Sequence, residues 1–313
     1  MRNFFRLDEI DNIEETVVAL GNFDGVHRGH QELIRRAVNS AVSANLKSAV
    51  FTFNNHPKNV LSGKHVIKNI LYADEKIKIL KDLGVDYLIS IDFDKTIQNI
   101  EHKEFIRKIL VKTLHMKEAY CGFNYRFGRK GAGNPEILMK VGLAEGFGIH
   151  VLEPYMVRGE IVSSTVIRKH IANGDVDKCF SLMGRYYNIR GIVIPGNRLG
   201  RTIGFPTSNI TIDEEMVTPA NGVYITFCTY NGVNYPSITN VGIKPTIGSS
   251  NAGKNMETHI FYFNKEIYGK QIRVEFLEKI RDEIKFENIE ELASQIKKDC
   301  LTAAAYHGII NRQ

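Results

Sequence analysis

The stretch TVVALGNFDGVHRGHQELIRRAVNSAV, residues 16–42, decides the fold of the first half of the chain. Its segment VVAL is a short apolar run of the kind that forms a buried strand. GNFDGVHRGH follows at residues 21–30, and QELIRRAVNSAV then repeats its apolar residues at helical spacing. The stretch therefore predicts a strand, a glycine-rich turn and a helix, which together begin a βαβ unit.

The rest of the first half alternates in the same way. Helical patterns such as EKIKILKDLG, residues 75–84, lie between short apolar runs. This alternation predicts an α/β, Rossmann-like domain in which a parallel sheet carries helices on both faces. The other predicted strands are KSAVFTF (47–53), DYLISIDF (86–93), EAYCGFNY (118–125) and IHVLEPY (149–155).

The pattern changes near Gly184, where two helical segments give way to short strand-like runs. Turns separate these runs, among them Asn231-Gly232, which accepts positive φ cheaply, and they predict an antiparallel barrel or sandwich. We place the boundary near residue 183, which gives domains 1–183 and 184–313. The segment NIEELASQIKKDCLTAAAYHG predicts an amphipathic helix after the strands. Its apolar residues at helical spacing are Ile289, Leu292, Ile296, Leu301 and Ala304.

The composition of the 313-residue chain narrows the classes of partner. A net charge of +6 favours an anionic ligand, either nucleotide or nucleic acid, and the absence of a long basic block weakens the second. The four cysteines stand singly, which predicts reduced thiols and no zinc site. There is no run of about eighteen apolar residues, and the N-terminal segment turns acidic before a secretory core can form. We therefore expect a cytoplasmic protein without nucleic-acid, membrane or obligate protein partners.

The turn at residues 21–30 has the features of a nucleotide site. A helix start presents unpaired backbone N–H groups and a partial positive charge, which attract phosphate. His27 and His30 share one face of the first turn, where imidazoles can donate to phosphate oxygens as charge builds up. A glycine turn with two surface histidines is the alternative, and the spacing excludes the P-loop and dinucleotide fingerprints. The candidate ATP-binding residues here are Gly21, Asn22, Phe23, Asp24, Gly25 and Gly29.

Two further polar segments belong to the first half. In VSSTVIR, residues 162–168, hydroxyls can cap the next helix and meet phosphate, and the arginine one turn on could clamp a triphosphate. GFNYRFGRKGAG, residues 122–133, is a loop at the carboxyl end of a strand, where open α/β sheets bind ligands. A plain helix cap and a basic surface loop are the alternatives. The candidates are Ser163, Ser164, Thr165 and Arg168, with Asn124 and Arg126 in the loop.

GNRLGRTIGFPTSNI, residues 196–210, is the richest segment of the second half. Its glycines and arginines can bring backbone N–H groups and cations close to a polyphosphate. Thr207 and Asn209 alternate on one face of a strand and offer a hydroxyl and an amide oxygen, which suit Mg²⁺. Glu257, among apolar strand residues, could accept a proton from an attacking hydroxyl or form a salt bridge. The candidate polyphosphate-binding residues are Gly196, Arg198, Gly200, Arg201, Gly204, Thr207 and Asn209.

Together these segments resemble two known signatures in one chain. GNFDGVHRGH resembles the HxGH class of nucleotidyltransferases, which move a nucleoside monophosphate from ATP to an acceptor. Over nearly the whole chain, the order resembles that of the prokaryotic bifunctional riboflavin kinase/FAD synthetase family. The segments that carry this resemblance are GNFDGVHRGH, EKIKILKDLGVD, GFNYRFG, SSTVIR, GRTIGFPTSNI, GVY, ITNVGIKPTIG, ETHIF, IYGKQIRVEF and IRDE.

The resemblance implies two ATP-dependent activities. The second domain would be a six-stranded riboflavin-kinase barrel with a terminal helix, which makes FMN from riboflavin and ATP. Thr207 and Asn209 would hold Mg²⁺ there, and Glu257 would be the base. The first domain would transfer AMP from ATP to FMN, giving FAD and pyrophosphate, with His27 and His30 stabilising the ATP phosphates. The implied adenylyltransferase site also includes Asn124, Ser164, Thr165 and Arg168.

The chain departs from the family pattern at two positions. Asn55-His56-Pro57 stands where the family often reads PHP, and we expect the contacts of the flavin loop to differ in detail. Tyr262 stands where the family often has an aspartate, and we expect the rate or affinity of the kinase to differ as a result. Two other functions remain open. One is an FMN adenylyltransferase whose barrel only binds flavin, and the other is a basic nucleic-acid-binding protein whose binding depends strongly on salt.

Overall fold

This computed structural model of the protein describes residues 1–196, 200, 203–243 and 254–309. The chain divides into two compact units, Met1–Ser164 and Thr165–Gln313. Among the described helices, none combines the length and the apolar character that crossing a membrane requires.

The first unit is a six-stranded parallel sheet flanked by helices, which confirms the predicted fold class. The strand order is β1-β4-β3-β2-β5-β6, and a two-stranded hairpin, β7-β8, follows. The strands are β1 (Arg2–Phe4), β2 (Thr16–Leu20), β3 (Lys47–Phe53), β4 (Tyr87–Ile91), β5 (Met116–Gly122), β6 (Gly148–Leu152), β7 (Met156–Val157) and β8 (Glu160–Ile161). The helices are α1 (Arg28–Ser43), α2 (Pro57–Ser62), α3 (Ala73–Asp82), α4 (Lys95–Asn99), α5 (His102–Glu104) with its π-helical continuation Phe105–Thr113, and α6 (Pro135–Glu145).

The central strands are buried on both faces because their side chains alternate between two cores. Val18 and Leu20 of β2 point into the core that the π-helix and α6 cover. Val17 and Ala19 point into the core that α1 and α3 cover. This double burial explains why the strand reads as a continuous apolar run, as is typical of parallel sheets. The glycine-rich turn begins where β2 ends, and β2 is an inner strand of the sheet.

In the second unit, six of the described strands close into an antiparallel barrel in the order β10-β13-β12-β11-β14-β9. Asn231 and Gly232, with φ of 48° and 77°, form the predicted hairpin turn between two of them. The strands are β9 (Tyr187–Ile194), β10 (Ser208–Thr211), β11 (Gly222–Tyr230), β12 (Val233–Ile243), β13 (Lys254–Ile260) and β14 (Gln271–Arg281). The remaining helices are α7 (Ser164–Asn173), α8 (Val176–Met183) and α9 (Ile289–Tyr306).

Helix α9 covers one outer face of the barrel. The helix is confirmed, and its buried face matches the predicted apolar set in part: Ile296 packs against the barrel, whereas Ile289 and Leu301 are exposed. Cys300 and Ala303 are buried beside Ile296, together with the carboxylate of Asp299. Arg281 of β14 donates to both carboxylate oxygens of Asp299 at 2.7–3.1 Å. The apolar pattern alone therefore gives only part of this face, because a buried ion pair occupies another part of it.

Candidate active sites

The turn predicted to bind nucleotide lies at the carboxyl end of β2. Helix α1 begins at Arg28, and His27 is its N-cap. Nδ1 of His27 accepts a hydrogen bond from the backbone N–H of His30 at 3.2 Å. This bond satisfies one of the free donors of the helix start. A neutral His27 imidazole therefore carries its hydrogen on Nε2 and can donate from that atom.

The structure brings the two histidines of the turn together. The rings of His27 and His30 stack, with centroids 3.5 Å apart and planes inclined by 16°. The ring of Phe23 meets His30 edge-on at 5.2 Å. His27 is only 5% exposed, so its position is fixed by its surroundings. The two imidazoles thus lie together at a helix start, and their joint action on an anion remains a prediction.

The backbone of the turn is held in an unfavourable conformation. Gly25 has φ of 76°, which glycine tolerates, but Phe23 and Val26 also have positive φ, 46° and 31°. Both side chains are fully buried in the core on the α1 side of the sheet, and this burial maintains the turn. The Phe23 ring therefore points into the core, so only its backbone can meet a nucleotide.

Gly29 has close protein neighbours at the position that a side chain would occupy. A methyl group at this position would lie 3.1 Å from Cβ of Tyr155 and 3.4 Å from the His27 ring. At Gly21, a methyl group would meet the Phe23 ring at 3.1 Å. Both glycines thus allow aromatic side chains to pack closely around the turn.

Ser164, the first residue of α7, contacts the turn directly. Its Oγ donates to the carbonyl oxygen of Asp24 at 2.8 Å. The carboxylate of Asp24 in turn accepts from the backbone N–H of Ile70 at 3.2 Å. The turn is therefore braced by two later segments of the chain. The phosphate-binding roles of Ser163, Thr165 and Arg168 remain predictions.

Lys76 of α3 anchors the same turn, and the sequence did not single it out. Its Nζ donates to Oγ1 of Thr52 at 2.9 Å and to the carbonyl oxygens of Asn22 and Phe53 at 3.0 and 3.4 Å. Thr52 also donates to the Asn22 carbonyl at 2.9 Å. Burial lowers the pKa of Lys76 to about 8, and the charge of Asp24 opposes that shift. One ammonium group thus ties the end of β3 to the turn.

A cleft of about 330 Å³ opens beside Lys76. It lies at the carboxyl ends of β2, β3 and β4, where open α/β sheets bind ligands. Apolar walls from Phe53, Leu71 and Leu88 combine with amide and hydroxyl groups, a lining that suits a planar heterocycle with several polar atoms. The polar residues of the lining include Asn22, Asn54, Asn55, His56, Asn69 and Ser90.

The loop predicted to contact flavin or nucleotide starts next to the turn, because β5 is a neighbour of β2 in the sheet. Cys121 of β5 is the register partner of Leu20, the last residue of β2. Asn124 and Arg126 follow β5 and are both exposed. Their binding roles remain predictions.

In the second unit, the structure brings Asn209 and Glu257 together. The two residues are register partners in the β10–β13 pair. Asn255 lies on the same face of β13, and its Nδ2 donates to Asn209 Oδ1 at 3.1 Å and to Glu257 Oε1 at 3.3 Å. Asn209 is buried, whereas Glu257 is partly exposed. A carboxylate and an amide, separated widely in the sequence, thus form one polar cluster.

The oxygen donors near this cluster fit a hard divalent cation. Strand β10 begins at Ser208, so Thr207 lies immediately before the strand and not within it as the sequence predicts. Within the described ranges, no group of three or more His, Cys, Asp or Glu side chains is arranged to hold a metal. Neutral oxygens such as those of Thr207 and Asn209 suit Mg²⁺, which keeps several waters and binds substrate phosphates.

Two glycines of the 196–210 segment have structural explanations. A neighbouring backbone approaches Gly200 closely, and Gly204 adopts a positive φ. A methyl group on Gly200 would lie 2.3 Å from the carbonyl oxygen of Phe205 and 3.4 Å from Oγ1 of Thr207. Gly204 has φ of 86°. Gly200 therefore lies close against the residues that precede β10. Arg198 and Arg201, the cations predicted for this loop, lie outside the described residues.

His259 shares the outer face of β13 with Glu257, because alternate strand residues point the same way. Its Nδ1 lies 2.8 Å from the carbonyl oxygen of Pro206 and donates to it. Burial lowers the pKa of His259, which favours the neutral ring. The histidine therefore fixes the backbone just before Thr207 without adding charge to the cluster.

The two departures from the family pattern have different surroundings. Asn55 lines the cleft, and its Oδ1 accepts from the backbone N–H of Phe93 at 2.7 Å. Tyr262 follows β13 with φ of 57° and is 63% exposed. Its hydroxyl donates to the carbonyl oxygen of Ile309 at 3.0 Å, beyond α9. The effects of both departures on activity remain predictions.

Comparison with known proteins gives two family matches in the order of the two units. The FAD synthetase model matches residues 9–166, and the riboflavin kinase model matches residues 183–307. A crystal structure named for a macrolide-efflux protein from Streptococcus pneumoniae is 32% identical and superposes with a TM-score of 0.88. The similarity covers 96% of this chain and 98% of that one.

Several relatives are similar along nearly their whole length. The bifunctional riboflavin kinase/FMN adenylyltransferase of Haemophilus influenzae is 37% identical over 94% of this chain and 95% of the relative. The Bacillus subtilis protein of the same name is 36% identical over 93% and 92%. The one from Escherichia coli K12 is 33% identical over 95% and 94%. With both domain models matched and relatives this similar, the chain belongs to the bifunctional riboflavin kinase/FMN adenylyltransferase family.

Proposed function

We propose that the two activities of this enzyme are carried out at two chemically different sites. Residues 1–183 adenylylate FMN, and residues 184–313 phosphorylate riboflavin. The observation that carries this division is the difference between the two sites. The first unit has a stacked pair of imidazoles at a helix start, whereas the barrel has a carboxylate held beside an amide. A hydroxyl nucleophile needs a base, whereas a phosphate nucleophile needs charge neutralisation.

In the barrel, the terminal ribityl hydroxyl of riboflavin attacks the γ-phosphorus of ATP. Glu257 accepts the hydroxyl proton, the bond from the γ-phosphorus to the bridging oxygen breaks, and ADP leaves FMN behind. Thr207 and Asn209 would hold a divalent cation, proposed to be Mg²⁺, which neutralises charge on the ATP phosphates. The loop before β10 is proposed to surround the polyphosphate. Its proposed contacts are Gly196, Arg198, Gly200, Arg201 and Gly204.

In the first unit, a phosphate oxygen of FMN attacks the α-phosphorus of a second ATP, and pyrophosphate leaves as FAD forms. His27 and His30 donate to the ATP phosphates as negative charge shifts toward the leaving group. The start of α1 supplies further N–H donors for the same phosphates. The cleft beside Lys76 is proposed to take the flavin ring. Further proposed contacts are Asn124, Arg126, Ser163, Ser164, Thr165 and Arg168.

We also propose that the enzyme works in the cytoplasm on small-molecule substrates, without nucleic-acid, membrane or protein partners. The four cysteines are free and buried, which fits a reducing compartment. The positive net charge is accounted for by nucleotide polyanions as substrates.

An adenylyltransferase with a non-catalytic barrel is not favoured. The riboflavin kinase model matches residues 183–307, and the chain keeps both Asn209 and Glu257. The direct test is a chromatographic assay of the purified protein with riboflavin, ATP and Mg²⁺. We expect FMN to appear first and FAD after it. Conversion of supplied FMN to FAD without any FMN formed from riboflavin would favour the single-activity enzyme.

A pH dependence of FAD formation follows from the contacts of Lys76. The ammonium group serves three acceptors, whereas the neutral amine has two hydrogens and no charge. We therefore expect FAD formation to decline as pH rises through about 8, the pKa of this group. Initial rates in the range of about pH 7 to 9.5 should show the decline in the wild type and not in a slower Lys76→Met variant. FMN formation in the same samples controls for general effects of pH.

The effect of Lys76 on stability has the opposite sign. Its pKa in the folded state lies below the ordinary 10.5, so the unfolded chain binds more protons between about 8 and 10.5. The contribution of this residue to the free energy of unfolding therefore rises with pH in that range. Thermal unfolding of the wild type and of Lys76→Met measures this difference. A decline in activity that tracks unfolding, or that is equal in both proteins, would contradict the assignment.

A further inference from the structure

Asn255 touches both residues on which the kinase proposal depends. Its Nδ2 lies 3.1 Å from Oδ1 of Asn209 and 3.3 Å from Oε1 of Glu257. An ionised carboxylate can only accept, so the NH₂ group of Asn255 and not its oxygen must face Glu257. The second hydrogen of the same nitrogen is then available to Asn209. One amide group thus serves two acceptors that come from different strands.

The barrel makes this bridge rigid. Asn255 and Glu257 share a face of β13, because alternate strand residues point the same way. Thr211 is the register partner of Asn255, so Asn255 reaches Asn209 along the diagonal of the strand pair. On another side, a methyl group at Gly196 would come within 2.2 Å of Nδ2 of Asn209. The buried Asn209 amide is therefore confined between the Gly196 backbone and Asn255.

We propose that Asn255 is a positioning residue of the riboflavin kinase site, which orients the amide of Asn209 and the carboxylate of Glu257 relative to each other. This inference rests on the roles proposed above for those two residues. Each acceptor oxygen keeps capacity for a second partner after bonding Asn255. The amide oxygen of Asn209 remains able to bind a cation, and the carboxylate of Glu257 remains able to accept the substrate proton. Without the bridge, either side chain can rotate out of reaction geometry.

Two substitutions in the full chain test the bridge. Asn255→Ala removes the amide, and Asn255→Asp keeps its shape but replaces the donor hydrogens with a second negative charge beside Glu257. We expect kcat for FMN formation to fall about tenfold or more in both, as for the loss of a hydrogen bond to a charged group. In Asn255→Ala, the Mg²⁺ concentration for half-maximal rate should rise, with little change in KM for riboflavin. Loss of packing alone would not move the metal dependence.

The matched control is Thr211→Val, at the exposed register partner of Asn255. It should leave kcat and the metal dependence unchanged. Adenylylation of supplied FMN should stay within about twofold of the wild type in every variant, which reports a folded first unit. If Asn255→Ala does not fold, the isosteric Asn255→Asp tests the positioning role by itself. Thermal unfolding of that variant then shows whether its barrel is folded.

A wild-type kcat in Asn255→Asp would overturn the proposal, and so would a loss of rate that matches a loss of folded protein. Glu257→Gln, measured in parallel, separates two kinds of failure. If Glu257→Gln is inactive while the Asn255 variants are normal, only the positioning role is wrong. If Glu257→Gln is also active, the base role on which the inference rests is wrong.

Discussion

Replacing His30 with alanine should lower the rate of FAD formation from supplied FMN and ATP by about a hundred- to a thousandfold, the usual effect of removing one preorganised donor. The imidazole of His30 stacks on His27 at 3.5 Å and belongs to the pair proposed to stabilise the shifting phosphate charge. The helix cap should survive, because the bond to His27 Nδ1 comes from the backbone N–H of residue 30. Chromatographic initial rates, with FMN formation from riboflavin in the same preparation, measure the effect.

His150→Ala is the matched control for this experiment. His150 lies on β6 of the same unit, and its side chain is 47% exposed. This variant should keep both activities, whereas His30→Ala should keep only FMN formation. Equal loss of both activities in His30→Ala would argue against two separate sites. Unimpaired FAD formation would remove the histidine pair from the reaction.

The second large effect is expected at Glu257. Glu257→Gln keeps the size of the side chain and its ability to accept from Asn255, but it removes the proton acceptor. We expect kcat for FMN formation to fall by about a hundred- to ten-thousandfold, the range for loss of a general base. KM for riboflavin should change little, because the lost interaction belongs to the transition state. Supplied FMN should still be converted to FAD.

Glu278→Gln provides the matched control in the same barrel. Glu278 is an exposed strand carboxylate on β14, away from the β10–β13 pair. Its substitution should leave both activities unchanged. If Glu257→Gln phosphorylates riboflavin at the wild-type rate, the carboxylate is not the base, and another acceptor must take the hydroxyl proton.

Much of the fold could be predicted because buried strands and tight turns leave recognisable patterns in short stretches of the sequence. The double burial of β2 produces the run VVAL, and Asn231-Gly232 marks a turn by its backbone preference alone. Strand β1 was missed because Arg2–Phe4 is three residues long and lies at the sheet edge, too short for a periodic signal. The π-helix Phe105–Thr113 was missed because its wider hydrogen-bond spacing leaves no signature in residue type.

The candidate sites show the same difference between contacts that depend on local structure and contacts that depend on the tertiary fold. His27 and His30 could be found because their meeting depends on one helical turn. The register that places Asn209 opposite Glu257 depends on the whole barrel, so residue spacing alone could not give it. Asn255 could have been noticed by alternation, since it shares a strand face with Glu257. Lys76 gave no signal, because a lysine in an amphipathic helix predicts a solvated side chain, and only the tertiary fold brings it to the turn.

Helix α9 follows every strand of the barrel along the chain, yet it supplies part of the cover over their outer face. During translation, all six strands therefore leave the ribosome before this helix does. Until then Val223, Ile225 and Leu277 lack the apolar partners that α9 provides, and Arg281 lacks its counter-ion Asp299. The nascent barrel is thus most prone to associate with other chains late in synthesis, and docking of α9 ends that interval.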